Sequence, residues 1–300
     1  MIWTLLVRHL PVGSGDLARR VNKWRAERKT TMLKQRVITA SILAILVIWA
    51  VLKLPVTGFG VALLAVLLPG AWEWTRLIGL SKTGDRGLYV GGILALILAA
   101  WPLLDSAVFV NSLLVLSVLG WCGALFWLQR YAVRPEQQNH PLQMGIAGIV
   151  VLVAPWVAFM GLRNEFGPGY VLFLFLLVWA ADVGAYFAGR RWGRRKLAPA
   201  ISPGKTWEGV AGAGAATLIL ALLGAVLLDE GARWPAFVAV CLITAGFSIV
   251  GDLFESMIKR QCGVKDSGSL LPGHGGVLDR VDSLTAAAPV FLLGLYGISG

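Results

Sequence analysis

The chain has 300 residues, 57% of them hydrophobic and only 14% charged, with a mean hydropathy of +0.73. A soluble domain averages about 25% charged residues, so these apolar residues must face lipid and a soluble fold is excluded. The formal charge of +11 would suit nucleic acid if it gathered in a basic domain, but the cations lie between apolar runs and no nucleic-acid partner is expected.

Residues 1 to 36 read as a basic cytoplasmic extension without a cleavable signal pattern. Within it, residues 16 to 36 read equally as a basic amphipathic helix lying on an anionic leaflet or as a disordered, dispensable stretch. Nine apolar runs nearly free of charge follow, at about 37–52, 56–72, 88–104, 106–128, 142–162, 170–189, 208–228, 234–254 and 284–298. Each approaches the roughly 20 residues that cross a bilayer as a helix. None alternates as a membrane barrel strand does, and backbone in lipid must satisfy itself, so the spans are helical. The predicted fold class is therefore all-α, a polytopic transmembrane bundle of about nine spans. With the N-terminus cytoplasmic, 24 of the 27 Lys and Arg fall on the cytoplasmic side, leaving Lys53, Arg163 and Arg233 outside. Glycines inside the spans, among them Gly91, Gly92, Gly145, Gly184, Gly212 and Gly214, are expected to let helices pack closely. Cys122, Cys241 and Cys262 have no CxxC spacing and form neither a disulfide framework nor a zinc site.

Two inside loops carry the polar chemistry. The first, about 190–207, ends in Ser202-Pro203-Gly204-Lys205-Thr206 ahead of a helix. Gly-Lys-Thr there is reminiscent of a P-loop, but Pro199 stands where that pattern needs glycine. What survives is a turn at a helix N-terminus, a place where amides and the dipole favour phosphate. Asp182, inside the sixth span two turns before Arg190, is an ionisable group in lipid and marks a functional site by default. The second loop, about 255–283, begins as a continuation of the eighth helix, with Asp252, Ser256 and Lys259 on one face. Its middle is rich in glycine, which lets backbone amides turn toward an anion. Its end puts Asp279 and Asp282 three apart at the mouth of the ninth span. Folding the loop back joins these two acids to Asp252, an oxygen set suited to Mg²⁺. Lys259, Arg260, Lys265 and Arg280 supply cations for phosphate oxygens. Acids among cations fit metal-assisted phosphoryl chemistry better than acyl transfer. His274, in the run Pro272-Gly273-His274-Gly275-Gly276, reads first as a residue that hydrogen-bonds its turn.

Ser256-x-Ile258-Lys259-Arg260, Lys265-Asp266 and His274-Gly275-Gly276-Val277-x-Asp279-Arg280-Val281-Asp282 together resemble the signature of phosphatidate cytidylyltransferases. The resemblance reaches back through Ser202–Gly209, Asp182–Tyr186 and Ala71-Trp72-Glu73-Trp74 to Met32, and is strongest after about residue 170. It implies a reaction in which CTP and phosphatidate give CDP-diacylglycerol and pyrophosphate, with Mg²⁺ as cofactor, in a bacterial-type inner membrane with the site facing the cytoplasm. Carried over residue by residue, it implies catalytic roles for Lys259, Arg260, Lys265, Asp266 and Arg280. Substrate contacts are implied for Asp182, Ser202, Lys205, Thr206, Ser256, His274, Gly275 and Gly276, and metal binding for Asp252, Asp279 and Asp282. The chain then divides into the extension (1–36), N-terminal helices (37–162) and a catalytic region (163–300), with room for a homodimer. Because such proteins often begin at the equivalent of Met32, residues 1–31 are expected to be dispensable. A transporter, with Asp182 and the two loops as an ion path, is the rival reading.

Overall fold

The computed structural model describes residues 38–133, 141–270 and 275–299; the basic extension and His274 lie outside these. Among the described residues the chain is a bundle of apolar helices. The first, α1 (Ile38–Lys53), is about 24 Å long at 1.5 Å per residue, less than the roughly 30 Å of hydrocarbon. Eight more are long and apolar enough to cross a membrane. These are α2 (Val56–Ile78), α3 (Thr83–Ala100), α4 (Ala107–Val133) and α5 (Pro141–Gly161), followed by α6 (Pro168–Trp192), α7 (Trp207–Leu227), α8 (Trp234–Gln261) and α9 (Leu278–Ser299). The expected all-α, multi-span architecture is therefore present.

Local sequence explains the breaks between helices. Gly79, with φ of 90°, ends α2 by donating its amide to the Arg76 carbonyl, a left-handed cap that glycine adopts without a Cβ penalty. A π turn, Leu162–Phe166, closes α5, and Gly167 with φ of 86° then hands over to Pro168 at the start of α6.

Helices overrun the apolar runs that announce them. The eighth continues past residue 254 to Gln261, and the ninth begins at Leu278 rather than near 284. Hydrocarbon thickness limits the apolar run and not the helix, which continues where its charged side chains find water or, as Glu255 and Lys259 do, each other.

One local element is not helical. The turn expected before α7 is an antiparallel hairpin, β1 (Lys196–Ala198) and β2 (Ser202–Thr206), with Lys196 opposite Thr206 and Ala198 opposite Ser202.

Burial separates central helices from lipid-facing ones. In α5, 72% of the apolar window is buried, and in α8 and α9 61%, against 17% in α3. Exposed apolar side chains such as Leu88, Val108 and Leu227 fit contact with acyl chains. Close approach depends on particular glycines. A Cβ at Gly184 of α6 would lie 2.5 Å from the Gly212 carbonyl oxygen of α7, and one at Gly212 would lie 2.6 Å from that of Gly184. A Cβ at Gly251 of α8 would come within 2.5 Å of the Asp282 carbonyl oxygen, so α8 and α9 touch at backbone distance beside Asp252. Gly91, Gly92, Gly145 and Gly214 meet nothing within 4 Å; the packing role expected of them is not seen.

Candidate active site

One end of the bundle encloses a polar cavity of about 450 Å³. Its walls come from Val178, Trp179 and Asp182 of α6, Asp252 and Lys259 of α8, Asp266 of the following loop, and Asp279, Arg280, Asp282, Ser283 and Leu284 of α9. The α6–α7 and α8–α9 glycine contacts set these helices close enough for acids from three of them to share one space.

Asp252 is central. Its Oδ2 lies 2.7 Å from Lys205 Nζ, its Oδ1 accepts from Ser256 Oγ at 3.3 Å, and it lines the same cavity as Asp182 and Asp282. Asp282 Oδ1 accepts the Ser283 amide at 2.8 Å. Lys259 is buried, with Nζ 2.6 Å from Asp279 Oδ1 and 3.1 Å from Glu255 Oε1. A cation so placed is held by two acids, as a buried charge requires. Asp279 also accepts the Gly276 amide at 2.8 Å and the Ser267 amide at 3.1 Å.

Several residues expected at the site have other work. Thr206 is buried and its Oγ1 accepts the Gly209 amide at 3.1 Å, so it is the N-cap of α7. Ser202 pairs with Ala198 in the hairpin. Of that run only Lys205 reaches the cavity acids. Arg260 donates from Nε to the Ile201 carbonyl at 3.3 Å and ties the end of α8 to the hairpin; Lys265 is exposed, and neither lines the cavity. Gly275, with φ of 86°, forms the turn before α9. Tyr186, on the Asp182 face, accepts from Arg190 at 3.0 Å instead of entering the cavity. The glycine-rich loop does turn its amides toward anions, but the anions are the protein's own. Gly276 donates to Asp279, while Val277 and Leu278 donate to Glu73 at 3.1 and 3.0 Å.

Glu73 and Glu255 are the acids that sequence reasoning missed. Glu73 is 5% exposed in α2 and also accepts from Ser267 Oγ at 3.0 Å. Its signal was present, an ionisable residue next to a long apolar run. Glu255 looked like an ordinary acid of the second loop, yet it is buried as the partner of Lys259. Cys262 donates its thiol to the Leu77 carbonyl at 3.1 Å; burial pushes its pKa up, which fits a packing role rather than a reactive one.

The donor set is one of hard oxygens. Among the described residues no three acids converge closely enough to cage a metal ion unaided, and both Asp279 oxygens are already engaged. Asp252 and Asp282, facing one cavity, suit an ion such as Mg²⁺ that takes one or two protein carboxylates and completes its shell with water and substrate phosphate. The arrangement sets acids and cations side by side in one polar cavity, a mixture suited to phosphate chemistry.

Comparison with known proteins agrees in kind. The model of the cytidylyltransferase family matches residues 34–296. The chain is 41% identical over 282 residues to a phosphatidate cytidylyltransferase of Pseudomonas aeruginosa, covering 87% of this chain and 96% of that protein. It is 40% identical to one of Haemophilus influenzae, covering 87% and 97%, and 33% identical to one of Bacillus subtilis, covering 88% and 98%.

Proposed function

We propose, from the premise that this chain belongs to the cytidylyltransferase family, that it transfers the cytidylyl group of CTP to phosphatidate, giving CDP-diacylglycerol and pyrophosphate for phospholipid synthesis. The observation that carries this reading is one polar cavity, walled by α6, α8 and α9, that is lined together by Asp182, Asp252, Lys259, Asp279, Arg280 and Asp282. The transporter reading gains nothing from the family or the relatives.

In this reaction a phosphate oxygen of phosphatidate attacks the α-phosphorus of CTP. The bond from that phosphorus to the bridging oxygen breaks, and pyrophosphate leaves with the electron pair. The attacking phosphate is already ionised, so no general base is needed; the obstacle is the approach of two polyanions. Asp252 and Asp282 would hold Mg²⁺, which when bound supplies positive charge to the phosphate oxygens. Lys259, fixed by Glu255 and Asp279, keeps a cation in the cavity without having to reorganise. Lys205 rests on Asp252 and can pass to an incoming phosphate, freeing the carboxylate as it goes. Arg280, exposed and lining the cavity, would meet the departing pyrophosphate. Val178 and Trp179 line the part of the cavity deepest along α6, which suits the glycerol end of a lipid.

The strong bias of Lys and Arg toward one side supports a cytoplasmic active site in an inner membrane, where CTP is soluble and the acyl chains stay in the bilayer. A homodimer remains compatible with the lipid-facing surfaces. The test is purified protein with phosphatidate, labelled CTP and Mg²⁺, beside Asp282→Asn. Labelled CDP-lipid from the wild type and its loss in the variant are expected. No product from the wild type would reject the activity, and an undiminished variant would reject the metal assignment.

A further inference from the structure

The carboxylate of Glu73 lies far from the cavity in sequence and belongs to none of its walls, yet the loop that builds one wall is shaped around it. Its described partners are all neutral donors: Ser267 Oγ, and the amides of Val277 and Leu278. These two amides stand at the start of α9, where backbone donors have no partner within the helix and where negative charge is favoured. The loop leaves no slack around the carboxylate. A Cβ at Gly268 would lie 2.6 Å from Glu73 Cδ, and one at Gly276 would lie 2.7 Å from the Gly268 amide nitrogen.

Ser267 links this anchor to the cavity. Its hydroxyl goes to Glu73, and its amide goes to Asp279. Asp279 in turn holds Lys259, and Asp282 follows one turn later on the same helix. We propose that Glu73 is a positioning residue for cytidylyl transfer. From α2 it fixes the first turn of α9 and, through Ser267, sets where Asp279, Lys259 and Asp282 stand relative to Asp252. The inference rests on the proposed activity, and it brings a residue of the N-terminal helices into the working of the C-terminal ones.

The experiment uses the full-length protein and the variants E73Q and S267A. E73Q keeps the shape but turns a donor toward donors; S267A removes one link and leaves Glu73 in place. Misplacement of reacting groups by about 1 Å costs up to about 100-fold in rate. E73Q is therefore expected to lower kcat by about 10- to 100-fold while both KM values stay within about threefold, and S267A to act in the same direction more weakly. Amide hydrogen exchange at Gly276–Leu278, followed without substrate, is expected to quicken in both. If E73Q is not recovered folded, S267A decides by the same criteria. An active wild type whose folded variants keep kcat, or lose only KM, overturns the positioning role. A wild type that makes no CDP-lipid overturns the activity instead.

Discussion

Asp252→Asn separates catalytic from structural work at the centre of the cavity. The substitution is nearly isosteric and removes one charge. In stability it sacrifices a pair with Lys205 at 2.7 Å whose side chains are 25% and 30% exposed. Pairs so open to water contribute only about 0.2–1 kcal/mol, and the substitution also removes one negative charge from a cavity that Asp182 and Asp282 share. The unfolding midpoint is therefore expected to move by no more than about 4 °C in either direction. Catalysis is another matter. If Asp252 is one of two protein carboxylates holding the ion, neutralising it weakens charge stabilisation where the transferring phosphoryl group sits. Loss of one such preorganised contact typically lowers kcat by about 100- to 1000-fold, or about 3–4 kcal/mol. The assay is CDP-diacylglycerol formation in phosphatidate mixed micelles across a Mg²⁺ titration, beside a thermal melt in the same detergent. Activity within about threefold of wild type, with an unchanged Mg²⁺ requirement, would refute the role given to Asp252. A collapse of the melting temperature would show that the pair is structural.

Lys259→Met strands Glu255 and Asp279 without their shared cation; breaking a buried pair costs about 3–5 kcal/mol, so loss of both stability and activity is expected in melts and turnover assays. Thr206→Ala removes only the N-cap of α7, a change of about 1 kcal/mol, and turnover is expected to stay within about threefold; a far larger fall in turnover at constant stability would return Thr206 to the phosphate site. Gly212→Val drives a side chain into the Gly184 carbonyl and Ala188, overpacking that costs about 1–3 kcal/mol. It should also displace Asp182 and lower turnover, whereas the same change at Gly214, which meets nothing, should be silent in both measurements.

Much of the cavity was legible before any coordinates. Asp252, Ser256 and Lys259 share a face because they recur at four and three residues in one helix, and Ser256 does reach Asp252. Asp182 announced itself by being ionisable within an apolar run, and it lines the cavity. Arg260 and Lys265 looked equivalent to Lys259 because cations beside a motif are alike in sequence, yet of the three only Lys259 lines the cavity. A helix turns about 100° per residue, so Arg260 points away from Lys259, toward the hairpin carbonyl of Ile201. The hairpin itself was hidden in a run of Ser, Pro, Gly, Lys and Thr that reads equally well as a turn.

The amino-acid sequence by itself determined the spanning helices, the presence of Gly184 and Gly212 where α6 meets α7, and the set of acids and bases from which the site is drawn. These are properties of short stretches, because about 20 apolar residues in hydrocarbon must close their own hydrogen bonds wherever the rest of the chain lies. Only the tertiary structure decided the partners. Glu73 meets the amide of Leu278 across 205 positions, and the amides of Ser267 and Gly276 end on Asp279. Such pairings follow from how helices settle against one another, and no local pattern records which buried donor will find which distant acceptor.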